Sequence, residues 1–438
     1  MKAEKRNPWL WVPTLYFAEG LPYFMVNTIS VIMFKKMGMD NGSMAWYTSL
    51  LYLPWVIKPF WSPFVDLIRT KRWWTVVMQI VMSAAFFLVA FSLPGLSPEQ
   101  IAAGSAPSLF SLTLVLFWIT AFASATHDIA ADGFYMLALN EKEQSLFVGI
   151  RSTFYRLSSL FGQGVLVVIA GLIEKRTGDI PLSWRLTVIV AAAVLTAISL
   201  YHVFLMPFPS SDAKRDTTGG VKGILVSFGE TFRTFFKKPL VWLTILFLLL
   251  YRLPEALVVK MIPAFLVDPV SKGGLGLSTV SYGLVNNTVG VIGIVVGGIL
   301  GGAWASKVGL KRSLWLMGLS LALPCVVYLY MSLTLTQSIP LIATCVFIEQ
   351  FGYGFGFTAY MLYMIFFSEG AYKTAHYSLC TAFMAASMML PGAFAGYIET
   401  ALGYSGFFTL VMITCLATVL AVALVRRKIP ADFGCTAK

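Results

Sequence analysis

Charge is what this sequence has least of. Asp, Glu, Lys and Arg together make up 12% of the 438 residues, hydrophobic residues make up 58%, and the mean hydropathy is +0.78. Soluble domains carry roughly 25% charged residues, so a water-soluble particle of this size is excluded and lipid is the expected solvent. Cysteine is sparse and one-sided: Cys325, Cys345, Cys380, Cys415 and Cys435 all fall in the second half, four of them inside apolar runs, with no CxxC pair. That excludes a disulfide framework and a thiolate metal centre. There is no HExxH, no Walker loop and no GxGxxG following a strand. No enzyme, no cofactor and no bound metal is therefore expected, and ATP hydrolysis within this chain is excluded as a driving force. The net charge of +12 is spread over short loops with no single patch, which argues against nucleic acid and for anionic lipid headgroups. No cleavable leader is expected either. The apolar run behind Lys2, Lys5 and Arg6 is long and contains Glu19, and it reads as a first membrane helix.

What is abundant is apolar length. A spanning helix needs about 20 mostly apolar residues, and twelve segments qualify: 9–34, 46–66, 73–94, 108–138, 147–173, 186–206, 240–267, 280–305, 313–332, 340–367, 375–398 and 406–426. With the N-terminus inside, the outer loops hold only Lys35, Lys36, Lys175, Arg176, Arg185 and Lys272, and every other loop lysine and arginine lies inside. Both termini are thus expected in the cytoplasm. The longest polar stretch, 207–238, leaves six spans on each side. The expected organisation is an N-terminal six-helix bundle over 1–206, a cytoplasmic linker over 207–238 and a C-terminal six-helix bundle over 239–438. Weak internal repetition supports two related halves. Leu21-Pro22 in the first span matches Leu253-Pro254 in the seventh, and Tyr135-Met136-Leu137 in the fourth matches Tyr360-Met361-Leu362 in the tenth, at offsets of 232 and 225 residues. Duplicated halves put a substrate site between them near the bilayer midplane.

Charges inside spans are costly and usually face a cavity or a partner. In the fourth span, Asp128 and Asp132 are four residues apart and share a helix face with Ser124. Two carboxylates in low dielectric repel each other, and burial disfavours the charged form of each. They are the candidate proton-coupling pair, the alternative being that each is held by a fixed arginine. His127 lies about 100° round the helix and suits polar packing. In the first span Glu19, Tyr23, Asn27 and Ser30 form a polar stripe, as a cavity wall would. Arg156 and Gln163 share a face of the fifth span; Arg156 is expected to pair with a helix aspartate or to hold an anionic substrate group. Arg151 is placed nearer the cytoplasmic edge, against lipid phosphates. The seventh span offers Arg252 and Glu255, either a structural pair or substrate contacts, and the tenth offers Glu349, Gln350 and Tyr353. Lys58, deep in the second span, has no assigned partner. The candidate substrate-binding residues are therefore Glu19, Tyr23, Asn27, Arg156, Gln163, Arg252, Glu255, Glu349, Gln350 and Tyr353.

The loop Gly302-Ala303-Trp304-Ala305-Ser306-Lys307-Val308-Gly309-Leu310-Lys311-Arg312 resembles the cytoplasmic loop motif of the major facilitator superfamily, with serine in place of its acid. Asp66 to Arg72 resembles the other copy, without its glycines. Asp66, Arg69, Lys307, Gly309 and Lys311 are thus candidate gating residues. Further stretches resemble one branch of that superfamily, the AmpG-type muropeptide permeases and acetyl-CoA transporters. They are Gly20-Leu21-Pro22, Leu51 to Asp66, Thr126-His127-Asp128-Ile129-Ala130-Ala131-Asp132-Gly133 and Met388-Met389-Leu390-Pro391-Gly392-Ala393. His127 stands where the branch commonly has glutamine. The resemblance implies a secondary active transporter working by alternating access. It implies proton-coupled import of muropeptide-like solutes built on N-acetylglucosamine and anhydro-N-acetylmuramic acid, or of related amino sugars. Asp128 and Asp132 would carry the coupling, in a monomer in the bacterial inner membrane. A carrier of acetyl-CoA or another anionic metabolite, and a transport-inactive membrane sensor, are the alternatives.

Overall fold

The computed structural model describes residues 6–62, 65, 68–139, 141–212, 220–370, 373–430 and 433–434. The described residues form helices and no strands. The main ones are α1 (Val12–Phe24), α2 (Asn41–Leu50), α3 (Lys71–Ser92), α4 (Ser111–Ala138), α5 (Glu141–Ser159), α6 (Ile180–Leu205), α7 (Leu253–Val267), α8 (Gly290–Val308), α9 (Leu310–Ala322), α10 (Ile339–Ser368) and α11 (Lys373–Arg426). Among the described residues nine helices are long and apolar enough to cross a membrane. One of them, Ala375–Arg426, takes in two of the expected spans, separated at Gly403 by a positive φ of 68°. The expected spans 46–66 and 240–267 are built from shorter pieces. Proline explains both breaks, because it lacks an N–H and crowds the carbonyl one turn back. Pro54 and Pro59 follow α2, and Pro254 stands in the first turn of α7, two residues after the non-helical Arg252 (φ −104°, ψ 12°).

The chain divides into two compact units, one comprising residues 1–39 and 57–228, the other residues 40–56 and 229–438. In the first, α3 packs on α4 and α6, and α1 packs on α5 and α4. Its core centres on Trp11, Leu15, Tyr16, Phe134, Tyr135 and Phe147. In the second, α8 packs on α10, α9 on α10, and both α2 and α7 on α11. Its core gathers Phe247, Tyr251, Met317, Tyr360, Tyr363 and Val422. The stretch expected to be a linker contains a helix, Gly220–Phe236, whose Phe235 packs among Phe367, His376 and Phe383. Large apolar side chains such as Phe91, Phe204 and Trp242 point outward, exposed by about 70% each, as they do when the surrounding solvent is acyl chain.

Three helices widen into π-turns, Met25–Ile29, Leu160–Leu166 and Gly283–Val289. Such turns are often found at functional sites. The first two hold Asn27 and Gln163.

Close helix contact in the second unit depends on small residues, as it does where no hydrophobic force distinguishes helix from lipid. A Cβ at Gly396 of α11 would lie 1.9 Å from the backbone oxygen of Asn41. Replacing Gly396 by alanine is therefore expected to destabilise the protein by about 1–3 kcal/mol. Gly302, whose added Cβ meets nothing within 4 Å, should tolerate alanine without loss. Chemical unfolding of the two variants in detergent checks both.

Candidate functional site

The first unit gathers a cluster of acids and bases from α1, α4, α5 and the stretch after α2, its Arg151–Asp132 end partly exposed, at 30% and 41% of the side chains. α4 carries Asp128 and Asp132 one turn apart. Lys58 Nζ lies 2.5 Å from Asp128 Oδ2, with side-chain exposures of 16% and 24%. Arg151 Nη2 lies 2.8 Å from Asp132 Oδ1, and Tyr16 Oη donates to that same oxygen at 3.0 Å. The Arg151 guanidinium also sits over the rings of Tyr16 and Tyr135, at 4.4 and 5.3 Å. Glu19, on α1, stands within electrostatic reach of all four charges. It is 8% exposed and no donor reaches its Oε2. Three acids thus face two bases.

Two expectations change here. Arg156 is exposed and forms no ion pair among the described residues, while Arg151, assigned to lipid phosphates, takes Asp132. The reason is helical phase: Arg151 and Tyr155 lie on the α5 face that packs on α1, and Arg156 lies about 100° further round than Tyr155. Gly20 allows that packing, because a Cβ there would lie 2.0 Å from Ser158 Oγ. Tyr23 and Tyr155 meet at 6.5 Å between ring centroids, Asn27 Nδ2 donates to Tyr23 O, and Gln163 Nε2 donates to Ser159 Oγ.

His127 points the other way, into a buried strut. Gln79 bridges it to His202, with 2.9 Å on each side, and His202 Nε2 lies 2.9 Å from Thr14 Oγ1. The strut ties α4, α3 and α6 to α1. An amide is not a proton relay, so its role is to fix the helices that carry the acids.

In the second unit Arg252 sits at the break before α7. Its Nη2 donates to Tyr353 Oη at 2.5 Å, and its guanidinium lies 4.8 Å from the Phe357 ring centroid and 5.7 Å from that of Tyr360. Glu255, in the first turn of α7, is favourably placed against the helix dipole. Its carboxyl stands within electrostatic reach of Glu349 on α10. Glu349 Oε2 accepts from Tyr328 Oη at 3.0 Å and from Gln350 Nε2 at 2.9 Å. Lys260, one face on, is 1% exposed and makes no ion pair among the described residues. Its Nζ donates to Thr48 Oγ1 at 3.3 Å and lies 5.0 Å from the Tyr52 ring centroid.

Of the candidate gating residues, Arg69 is exposed and stacks over Trp73, Lys307 is exposed, and Lys311 O accepts from Arg426 Nε. Gly309 ends α8 with a positive φ of 82°. Asp66 lies outside the described residues. Sequence reasoning missed Asp212 at this end of the first unit. It accepts the backbone N–H groups of Lys71 and Arg72 at 2.7 and 2.9 Å and so caps α3. Burial raises its carboxyl above the ordinary aspartate value, and the two N–H bonds oppose that rise.

Residues 14–369 match the profile of the Major Facilitator Superfamily. The chain belongs to this superfamily. It is 24% identical over 399 residues to the anhydromuropeptide permease of Escherichia coli K12, an alignment covering 90% of this chain and 74% of that one. It is 22% identical to putative transporter AmpG 4 of Rickettsia felis, covering 95% of each. Among solved structures, a D-xylose–proton symporter superposes with a TM-score of 0.71 at 12% identity, covering 97% of this chain and 98% of that one. The nucleoside transporter NupG does so with 0.67 at 14%, covering 97% and 100%. The protein is a multi-pass secondary transporter of this superfamily and no enzyme.

The short sequence matches between the two halves allow the two clusters to be compared position by position. The 225-residue offset sets Ser124, Asp128, Asp132 and Tyr135 of α4 against Glu349, Tyr353, Phe357 and Tyr360 of α10. The same helix face bears carboxylates in one repeat and ring faces in the other, and each holds cations.

The first cluster yields a test. Asp128→Asn strands the Lys58 charge and is expected to cost roughly 3 kcal/mol, the usual order for breaking a buried pair. Removing both charges in Lys58→Met/Asp128→Asn should restore most of it. Equal losses in the single and double variants, measured by chemical unfolding, would show that the pair contributes nothing.

Proposed function

We propose that this protein imports muropeptide-like solutes, N-acetylglucosaminyl-anhydro-N-acetylmuramic acid with or without peptide, in symport with protons. It does so across the bacterial inner membrane, as a monomer with both termini in the cytoplasm. The substrate class is supported by the likeness to the anhydromuropeptide permease over nine-tenths of the chain. The observation that carries the proton reading is the excess acid in the first unit, where among the described residues Glu19, Asp128 and Asp132 meet two bases, Lys58 and Arg151. An uncompensated carboxylate in this setting costs several kcal/mol, and a proton removes that cost. Asp128 and Asp132 set the field, and Glu19 is the acid with no cation of its own. Loading and unloading one proton changes the cluster between neutral and negative, which is the difference a coupled carrier needs between its states.

A carrier of another anionic metabolite, such as acetyl-CoA, is the second reading. Lys260, buried without an acid, favours an anionic solute of some kind.

The deciding measurement is uptake of labelled N-acetylglucosaminyl-anhydro-N-acetylmuramic acid into proteoliposomes, with and without an inward proton gradient. Wild type should accumulate it. Asp128→Asn and Glu19→Gln should each lower gradient-driven uptake by about tenfold or more, the equivalent of ~1.4 kcal/mol, while retaining exchange of internal for external substrate. Uptake indifferent to the gradient would overturn the coupling, and none by folded wild type would overturn the substrate class in favour of acyl-CoA and similar anions.

A further inference from the structure

We propose that Lys260 and Ser49 form a carboxylate-binding subsite in the second unit, and that it takes the acid group of the transported solute. Lys260 comes from α7 and Ser49 from α2, and both helices pack on α11. The two side chains are buried, at 1% and 0% exposure. Among the described residues no acid pairs with Lys260. Its Nζ meets Thr48 Oγ1 at 3.3 Å and lies 5.0 Å from the Tyr52 ring centroid. Thr48 donates its own proton to Met44 O at 2.7 Å, so it accepts from the ammonium. An ammonium has three N–H donors. One long bond to a hydroxyl and one ring face leave it short of acceptors and of negative charge. Ser49 Oγ is buried with no hydrogen-bond partner among the described residues. Buried polar groups are nearly always bonded, so two unanswered donors on helices that share a neighbour call for one common acceptor.

Gly392 of α11 marks where the two donors converge. A Cβ there would lie 2.8 Å from Ser49 Oγ, and 3.1 and 3.5 Å from Lys260 Cγ and Cε. The lysine sets the sign of the ligand: a cation is repelled, and a neutral group leaves the ammonium uncompensated. A carboxylate answers both donors. It brings one negative charge for one ammonium, and two oxygens, one for the ammonium and one for the hydroxyl, in charge-assisted hydrogen bonds. A phosphomonoester carries close to two charges at neutral pH, more than Lys260 alone balances. The packing around Gly392 is closed in this structure, and the sequence provides the place where it opens. Pro391 precedes Gly392 inside α11. It lacks the N–H that would bond one turn back, and helices bend most readily at such a position. Bending there carries the Gly392 backbone away from Ser49 and Lys260 and admits the two oxygens, so occupancy of the subsite and the bend of α11 are linked.

The link to a transported solute rests on the transport reading above, but the carboxylate subsite does not, and its test is equilibrium binding to the purified protein. N-acetylmuramic acid and N-acetylglucosamine differ by one lactyl ether, which carries the carboxylate. Wild type should bind the acid about tenfold or more tightly than the neutral sugar, the scale of a charge-assisted pair. Lys260→Met should bring the two affinities together by weakening the acid alone, and Ser49→Ala should narrow the gap without closing it. The methyl ester of N-acetylmuramic acid needs no variant, and on wild type it should bind like the neutral sugar. A wild type that binds acid and ester equally, or binds neither the acid nor D-lactate, overturns the proposal, as does a Lys260→Met protein that keeps the preference. Equal binding of acid, ester and neutral sugar would remove the subsite and leave the amino-sugar reading standing. D-lactate binding as tightly as N-acetylmuramic acid, with no binding of the neutral sugar, would uphold the subsite and remove the amino-sugar reading. Displacement of the acid by inorganic phosphate at lower concentration than by D-lactate would overturn the carboxylate assignment.

Discussion

An ion moved from water into hydrocarbon forfeits several kcal/mol of hydration even after relaxation, and this chain places Glu19, Lys58, Asp128, Asp132, Arg151, Arg252, Glu255, Lys260 and Glu349 within or beside its apolar segments. The packing of each unit follows from how those charges are answered. Lys58 reaches α4 from the broken stretch after α2, and Arg151 reaches it from α5. These two contacts set the rotation of the helices round α4. The His127–Gln79–His202–Thr14 strut then secures α4 on its opposite side. In the second unit ring faces replace carboxylates. Arg252 lies among Tyr353, Phe357 and Tyr360, and Lys260 lies near Tyr52. A ring quadrupole attracts a cation by about 0.5–2 kcal/mol.

The backbone is interrupted next to the charges. Pro22 precedes the π-turn Met25–Ile29, and Pro254 opens α7 two residues after Arg252. A broken helix frees carbonyl and amide groups, and such groups are tolerated at membrane depth only when buried in protein or lining a water-filled cavity. In each unit the buried acid of this region therefore belongs to a helix with a proline in or just before its own turn, Glu19 before Pro22 and Glu255 after Pro254.

Helical period and apolar length made the apolar spans and the acidic face of α4 legible in the sequence, because each depends on spacing along one helix. Partners were not legible, because they depend on which helices meet. Arg151 and Arg156 are both arginines on the fifth span, and only the phase of α5 against α1 assigns Asp132 to the first. Lys58 had no partner in sequence terms, since its acid is 70 residues away. Asp212 left no signal at all, being one acid in a polar stretch until the chain brings it to the N-terminus of α3. The spans 46–66 and 240–267 were legible as apolar segments, while their division was signalled by Pro54, Pro59 and Pro254.

Glu19, Asp128 and Asp132 oppose Lys58 and Arg151, so among the described residues the first cluster holds one acid more than its bases. On the proposed reading, neutrality when protonated and a single negative charge when not give that excess its reason. Lys260 stands apart from both clusters, and its charge is then the one left for a solute that is itself an anion.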